Sequence, residues 1–156
     1  MAIFAIYCHT FAYLCIALIM GRWLALDIGS KRTGIAVTDP LRIIATALDT
    51  VPTKELVPFL KNYFLTEQVD IVVVGEPKQM DNSPSESAGM INKEIEKLKK
   101  AFVEINIHRV DERFTSKMAS QVIAQSGKTK KERQKKELID TVSATIILQS
   151  YMMSNQ

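Results

Sequence analysis

A chain of 156 residues with 47% hydrophobic and 24% charged residues has room for one domain with a real core and too little for two ordinary ones. Its net charge of +3 and pI of about 8.8 suit a polyanionic partner without selecting one. Both cysteines, Cys8 and Cys15, lie in the first twenty residues, which excludes a disulfide framework, a zinc cluster and a cysteine nucleophile from the remainder and fits a reducing, cytoplasmic setting.

Residues 1–20 contain no Lys, Arg, Asp or Glu. Their length matches a bilayer span, but His9, Thr10 and the tyrosines interrupt the apolar run. A basic n-region and a small-residue cleavage site are both missing. The favoured expectation is that translation starts at Met20. Residues 1–20 are then an extension (a mis-assigned start, or else a short anchor), 21–152 the domain and 153–156 a tail, with no stable membrane partner.

From Trp23 to Ile28 the chain is apolar except for Asp27, as expected of a strand buried on both faces. A carboxylate there is costly unless something pairs with it. Either the turn that follows, Gly29 to Arg32, satisfies it as a local cap, or it holds a metal or phosphate at an active centre. Gly29 and Gly34 free the backbone for that turn and for close approach, and Lys31 and Arg32 add positive charge. A second strand follows through Val37, and a third is expected over 42–51, with Ile43, Ile44, Ala45, Leu48 and Val51 as its apolar residues. A helix starting near Pro52 and Thr53 carries Leu56, Val57, Leu60 and Phe64 at helical spacing. Residues 70–75 form a β-branched strand of the parallel, buried kind, ending at Glu76 and Pro77.

A polar loop, 78–84, precedes an amphipathic helix over 85–102 with Ala88, Ile91, Ile95, Leu98 and Phe102 on one face. Ile105, Ile107 and Val110 then alternate with polar residues in a fifth strand that runs into Asp111, Glu112 and Arg113. His108 reads as a surface residue of that strand. A helix capped by Thr115 or Ser116, a basic stretch and a last helix over about 136–152 complete the chain. Three antiparallel strands followed by two crossovers make a five-stranded mixed sheet flanked by helices on both faces, which is the ribonuclease H-like order.

Ligands of open sheets collect at strand ends beside the final helix. Acids stand at those places: Asp27 in the first strand, Glu76 after the fourth, Asp111 and Glu112 after the fifth, and Asp140 early in the last helix. Hard oxygen ligands without His or Cys point to Mg²⁺ or Mn²⁺, and two such ions about 4 Å apart can drive phosphodiester hydrolysis. Each acid also has a plain structural alternative, such as Glu76 in a turn or Asp140 at a helix N-terminus. Lys128, Lys130, Lys131, Arg133, Lys135 and Lys136 fall within nine residues, either a solvated segment or a nucleic-acid contact.

Four segments carry a resemblance to a known family. Leu26 to Val37 resembles the first motif of the YqgF (RuvX) family, ribonuclease H-like proteins described as Holliday-junction-resolvase-like or as nucleases of the small-subunit ribosomal RNA precursor. Val73 to Pro77 with Met80 and Asp81 is similar to the second motif, Asp111 to Ser116 to the third, and Ile139 to Ala144 with Ile147 to Gln149 to the last. Departures are few: Glu76 where the family more often has an apolar residue, Asn82 and Ser83 in place of a glycine, and Ser143 in place of an alanine.

The resemblance implies that Asp27, the Asp111–Glu112 pair and Asp140 bind a two-metal Mg²⁺ or Mn²⁺ centre, with Glu76 as an extra candidate. Strand alternation leaves one of Asp111 and Glu112 as the direct ligand, with a slight preference for Glu112. Lys31, Arg32, Arg113, Lys128, Lys130, Lys131 and Arg133 would contact phosphates. The implied function is an endonuclease on structured nucleic acid, processing the 5′ end of the 16S ribosomal RNA precursor. The alternatives are a Holliday junction resolvase, which needs a homodimer for symmetric cutting where an RNA nuclease can act as a monomer, and a non-catalytic nucleic-acid-binding module. A sugar-kinase or actin-like ATPase is disfavoured, since that architecture needs two such domains.

Overall fold

The computed structural model describes residues 20–76, 87–111 and 136–155. β1 (Arg22–Ile28), β2 (Arg32–Thr38), β3 (Ala45–Pro52), β4 (Val69–Glu76) and β5 (Asn106–Asp111) make one sheet in the order β3-β2-β1-β4-β5. β1 pairs antiparallel with β2, and β2 with β3, whereas β4 is parallel to β1 and to β5. The three α-helices among the described residues are α1 (Leu56–Thr66), entered through a 3-10 turn at Thr53–Glu55, α2 (Ala88–Ala101) and α3 (Lys136–Ser154). The expected ribonuclease H-like order is therefore present. The helix expected after Thr115 and the polar loop after Pro77 lie outside the described residues.

Alternation along β1 sorts the core into two layers. Leu24, Leu26 and Ile28 join Val72 and Val74 of β4 against Leu56 and Leu60 of α1 and Ile91, Ile95 and Leu98 of α2. Trp23 and Ala25 point the other way, joining Ala36 and Val73 against Ala144, Ile147, Leu148 and Tyr151 of α3. Removing side chains of this size from water stabilises by about 1.5–3 kcal/mol each, so each apolar residue of β1 is committed to one layer. Asp27 shares the parity of Trp23 and Ala25. It therefore belongs to the α3 face.

The third strand starts later than the apolar pattern suggests. Asp39 accepts hydrogen bonds from the backbone N–H groups of Leu41 (3.1 Å), Ile43 (2.7 Å) and Ile44 (2.7 Å), which winds 39–44 into a tight loop. Ile43 and Ile44 are left 67% and 62% exposed, not inward on a strand as expected. Arg42 takes φ 57° in that loop, and its guanidinium is anchored. It donates to the Gly21 carbonyl at 3.0 and 2.9 Å, pairs with Asp70 at 2.5 Å and lies 4.9 Å over the Trp23 ring. In β3 itself the register with β2 skips one residue: Ile35 faces Asp49 and Ala36 faces Ala47, leaving Leu48 as a bulge on the outermost strand.

Candidate active site

The site grows from the carboxyl end of β1, the central strand of the sheet. Asp27 is half-buried there, directly across the antiparallel ladder from Gly34. A Cβ on Gly34 would lie 2.1 Å from the backbone oxygen of Asp140 and 2.4 Å from its carbonyl carbon. Only a residue without a side chain lets the first turns of α3 settle against β2. Gly34 thus lies inside β2, not in the turn, and what approaches it is a helix backbone. That seating brings Asp140 to Asp27.

Burial pushes the Asp27 carboxyl up from 3.8 to about 6, the nearby negative charge of Asp140 adds to the rise, and a hydrogen bond from the Ser143 hydroxyl opposes it. The chain holds two acids together in a partly dry site, an arrangement characteristic of functional centres. Arg32 Nε offsets part of the charge, donating to Asp140 Oδ2 at 3.0 Å. Ser143 is 2% exposed and stands three residues after Asp140, hence on the same helix face. In the sequence Ser143 stands out only as a departure from alanine. Its i+3 spacing from an acid already suspected was the available signal.

The turn after Asp27 is tied down from Thr53, the residue that follows β3. Gly29 N donates to the Arg32 carbonyl at 2.9 Å. The Thr53 hydroxyl donates to the Gly29 carbonyl at 2.7 Å, leaving the Thr33 hydroxyl, 3.1 Å away, to donate to Thr53. The Thr53 backbone N–H donates to the Lys31 carbonyl at 3.1 Å. The turn is therefore closed by backbone and threonines, and the Asp27 carboxylate is held by Ser143 rather than spent as a local cap. Thr53→Val removes a buried donor and strands a buried hydroxyl, so it is expected to lower unfolding free energy by about 1–3 kcal/mol in urea titration, with Thr53→Ser close to wild type.

Glu76 and Asp111 go elsewhere. They are register partners across β4 and β5. Arg109, of the same parity as Asp111, pairs with Glu76 at 2.9 Å and also reaches Asn92 of α2, so this group faces the α2 layer. Asp27 and Asp140 occupy the opposite face. Among the described residues no group of three His, Cys, Asp or Glu side chains gathers to hold a metal. Glu112, Arg113, Lys128, Lys130, Lys131 and Arg133 lie outside the described residues. Lys31 is exposed beside the site, and His108 is exposed on β5 with its Nδ1 2.6 Å from the Tyr151 hydroxyl of α3.

Comparison with known proteins adds a sequence-wide likeness. The RuvX family model, described as Holliday junction resolvase, matches residues 21–154. A Flavobacterium johnsoniae protein named "Putative pre-16S rRNA nuclease" is 54% identical over 137 residues, 88% of this chain and 99% of its own length. A protein of the same name from Bacteroides thetaiotaomicron is 48% identical over an equal share of both chains. Among solved structures, T. thermophilus RuvC in complex with Holliday junction substrate shares the fold, with a TM-score of 0.50 at 16% identity over 86% of this chain and 95% of that one. No described helix is long and apolar enough to cross a membrane. With a family model matched from 21 to 154 and relatives about half identical along nearly their whole length, the chain belongs to the RuvX family.

Proposed function

We propose that this protein is a metal-dependent endonuclease that hydrolyses phosphodiesters in structured nucleic acid, with the small-subunit ribosomal RNA precursor as its substrate. The convergence of Asp27 and Asp140 at the carboxyl end of the central strand, with Ser143 and Arg32 on their oxygens, carries this reading. The name borne by relatives about half identical favours ribosomal RNA. The description of the family model keeps a four-way DNA junction as the second reading.

The donor set fits a divalent cation. Two hard carboxylates repel each other in a partly dry site, and a cation of the Mg²⁺ or Mn²⁺ type relieves that repulsion. When bound, such an ion polarises a phosphoryl oxygen and activates water. Asp27 and Asp140 would hold it. Glu76, drawn to Arg109 on the other face, is not supported as a ligand. The same parity argument turns Asp111 toward α2 and favours its neighbour Glu112 as the third carboxylate.

The chain's own groups do the rest. Ser143 orients the Asp27 carboxylate, Arg32 restrains Asp140 in the absence of substrate, and the threonine seat of the turn fixes Lys31 where a phosphate would arrive. Arg113, Lys128, Lys130, Lys131 and Arg133 would add salt-dependent, sequence-independent affinity. The protein would act in the cytoplasm, where ribosomal RNA is matured.

The test is cleavage of a labelled precursor fragment and of a four-way DNA junction with Mg²⁺ or Mn²⁺, by wild type and Asp27→Asn. Cutting of the RNA by wild type alone is the expected result. Preferential cutting of the junction transfers the substrate to branched DNA. Salt-dependent binding by both proteins with no cutting by either replaces the enzyme with a binding module.

A further inference from the structure

Two carboxylates at the mouth of the site repel the polyanion they are proposed to cut, so free cations must stand beside them. Every described arginine is already held by an acid: Arg22 by Glu67, Arg32 by Asp140, Arg42 by Asp70 and Arg109 by Glu76. Among the described residues that leaves the lysines. Lys31 is exposed on the turn that follows Asp27. Lys54 is its neighbour across the seam between the β1–β2 turn and the end of β3, because the residue before it, Thr53, hydrogen-bonds the Lys31 carbonyl at 3.1 Å.

Lys54 is rooted rather than adrift. Thr53 is 7% exposed and bonded to both Gly29 and Thr33, so the backbone that carries Lys54 is locked to the turn that carries Lys31. The Lys54 side chain itself is 82% exposed. The carboxylate it meets among the described residues, Glu55, is 3.9 Å away and 59% exposed, a contact of negligible strength in water. β3 lies two strand spacings from β1, about 10 Å. Thr50 stands in line with Asp27 across the ladder, and Lys54 follows four residues on, at the end of the sheet where β1 delivers Asp27, on the path of a strand that leaves the two carboxylates toward β3.

We infer that Lys54, positioned beside Lys31 by the buried Thr53, is a phosphate-contacting residue that holds the nucleic-acid strand on the β3 side of the two carboxylates. The inference rests on the nuclease reading above. Lys54 reads no base, because an ammonium on a flexible stem meets phosphate as a point charge.

The experiment measures binding of the full chain to a fluorescently labelled single-stranded RNA across a potassium chloride series, with Ca²⁺ replacing Mg²⁺ to prevent turnover. Lys54→Gln is expected to flatten the slope of log K against log salt by about 0.7, the value of one phosphate contact on a single strand. Lys54→Arg should keep the wild-type slope, and so should Lys61→Gln on the exposed face of α1. An unchanged slope for Lys54→Gln, with wild type binding normally, overturns the inference while leaving the nuclease reading standing. Equal flattening by Lys61→Gln also overturns it, since net charge alone then accounts for the effect. If wild type shows no salt-dependent binding to this RNA, to a precursor fragment or to a four-way DNA junction, the nuclease reading falls and takes this inference with it.

Discussion

Asp27→Asn is expected to abolish cleavage while making the metal-free protein more stable. On the activity side, removing one electrostatic group from a transition-state site costs at least about 10²–10³-fold. On the stability side, the Asp27 carboxyl holds its proton more tightly in the folded chain, at about 6, than at its ordinary 3.8. A raised acid of this kind contributes its stability below about pH 3.8, and that contribution is lost as pH rises through about 6. Above neutrality the wild type carries the whole cost and Asn carries none.

A rise from 3.8 to about 6 corresponds to about 3 kcal/mol. Because Asp27 keeps some contact with water, a gain of about 1–3 kcal/mol is expected for the variant in EDTA at pH 8, or several degrees in Tm for a chain of this size. The gap should close as pH is lowered from 6 to 4. Mg²⁺ should raise the Tm of wild type and leave the variant where it is. Thermal melts over that pH range, with and without Mg²⁺, check both statements. Equal Tm values for the two proteins in EDTA at pH 8 would remove the cost assigned to Asp27.

Gly34→Ala is expected to produce the opposite combination, losing stability and activity together. The new Cβ meets backbone, the Asp140 carbonyl at 2.1 Å and the Thr141 nitrogen at 3.0 Å, and backbone cannot rotate away as a side chain can. Overpacking costs about 1–3 kcal/mol and occasionally more, and here the upper end applies because the start of α3 must lift. Lifting α3 carries Asp140 away from Asp27, and a misplacement of about 1 Å costs on the order of 10²-fold in rate. Gly89→Ala is the control: nothing lies within 4 Å of its Cβ position, and Ala in place of a helical Gly stabilises by up to about 1 kcal/mol. Urea titration of both variants, with cleavage rates, separates crowding at one glycine from glycine replacement in general.

The sheet was legible because its physics is local. The apolar run of β1, the β-branched run of β4 and the alternation of β5 each state their burial in the order of residues, and helical spacing marks α1, α2 and α3. The start of β3 was hidden because the Asp39 carboxylate binds the amides of Leu41, Ile43 and Ile44, a competition for backbone donors that an apolar pattern such as Ile43-Ile44 does not reveal. In the site, Asp27 and Asp140 announce themselves as acids among apolar residues. Their union depends on Gly34, whose role is set by a helix more than a hundred residues away in the chain. Glu76 looks equivalent to Asp27 from sequence, as an acid at a strand end. Parity alone, read from which layer each neighbour fills, sends it to the other side of the sheet.

The extra residue at Leu48 bears on how the protein behaves at high concentration. An outermost strand offers a row of unsatisfied donors and acceptors on which a second chain can crystallise into a ribbon. On β3 that row is broken midway, because a bulge tilts the strand and sharpens its twist, and Asp49 adds a charge immediately after the break. With Leu41, Ile43 and Ile44 exposed just upstream, an unbroken β3 would present both a sticky surface and a straight template. The irregularity keeps the two from acting together, and deleting Leu48 would be felt first as loss of solubility.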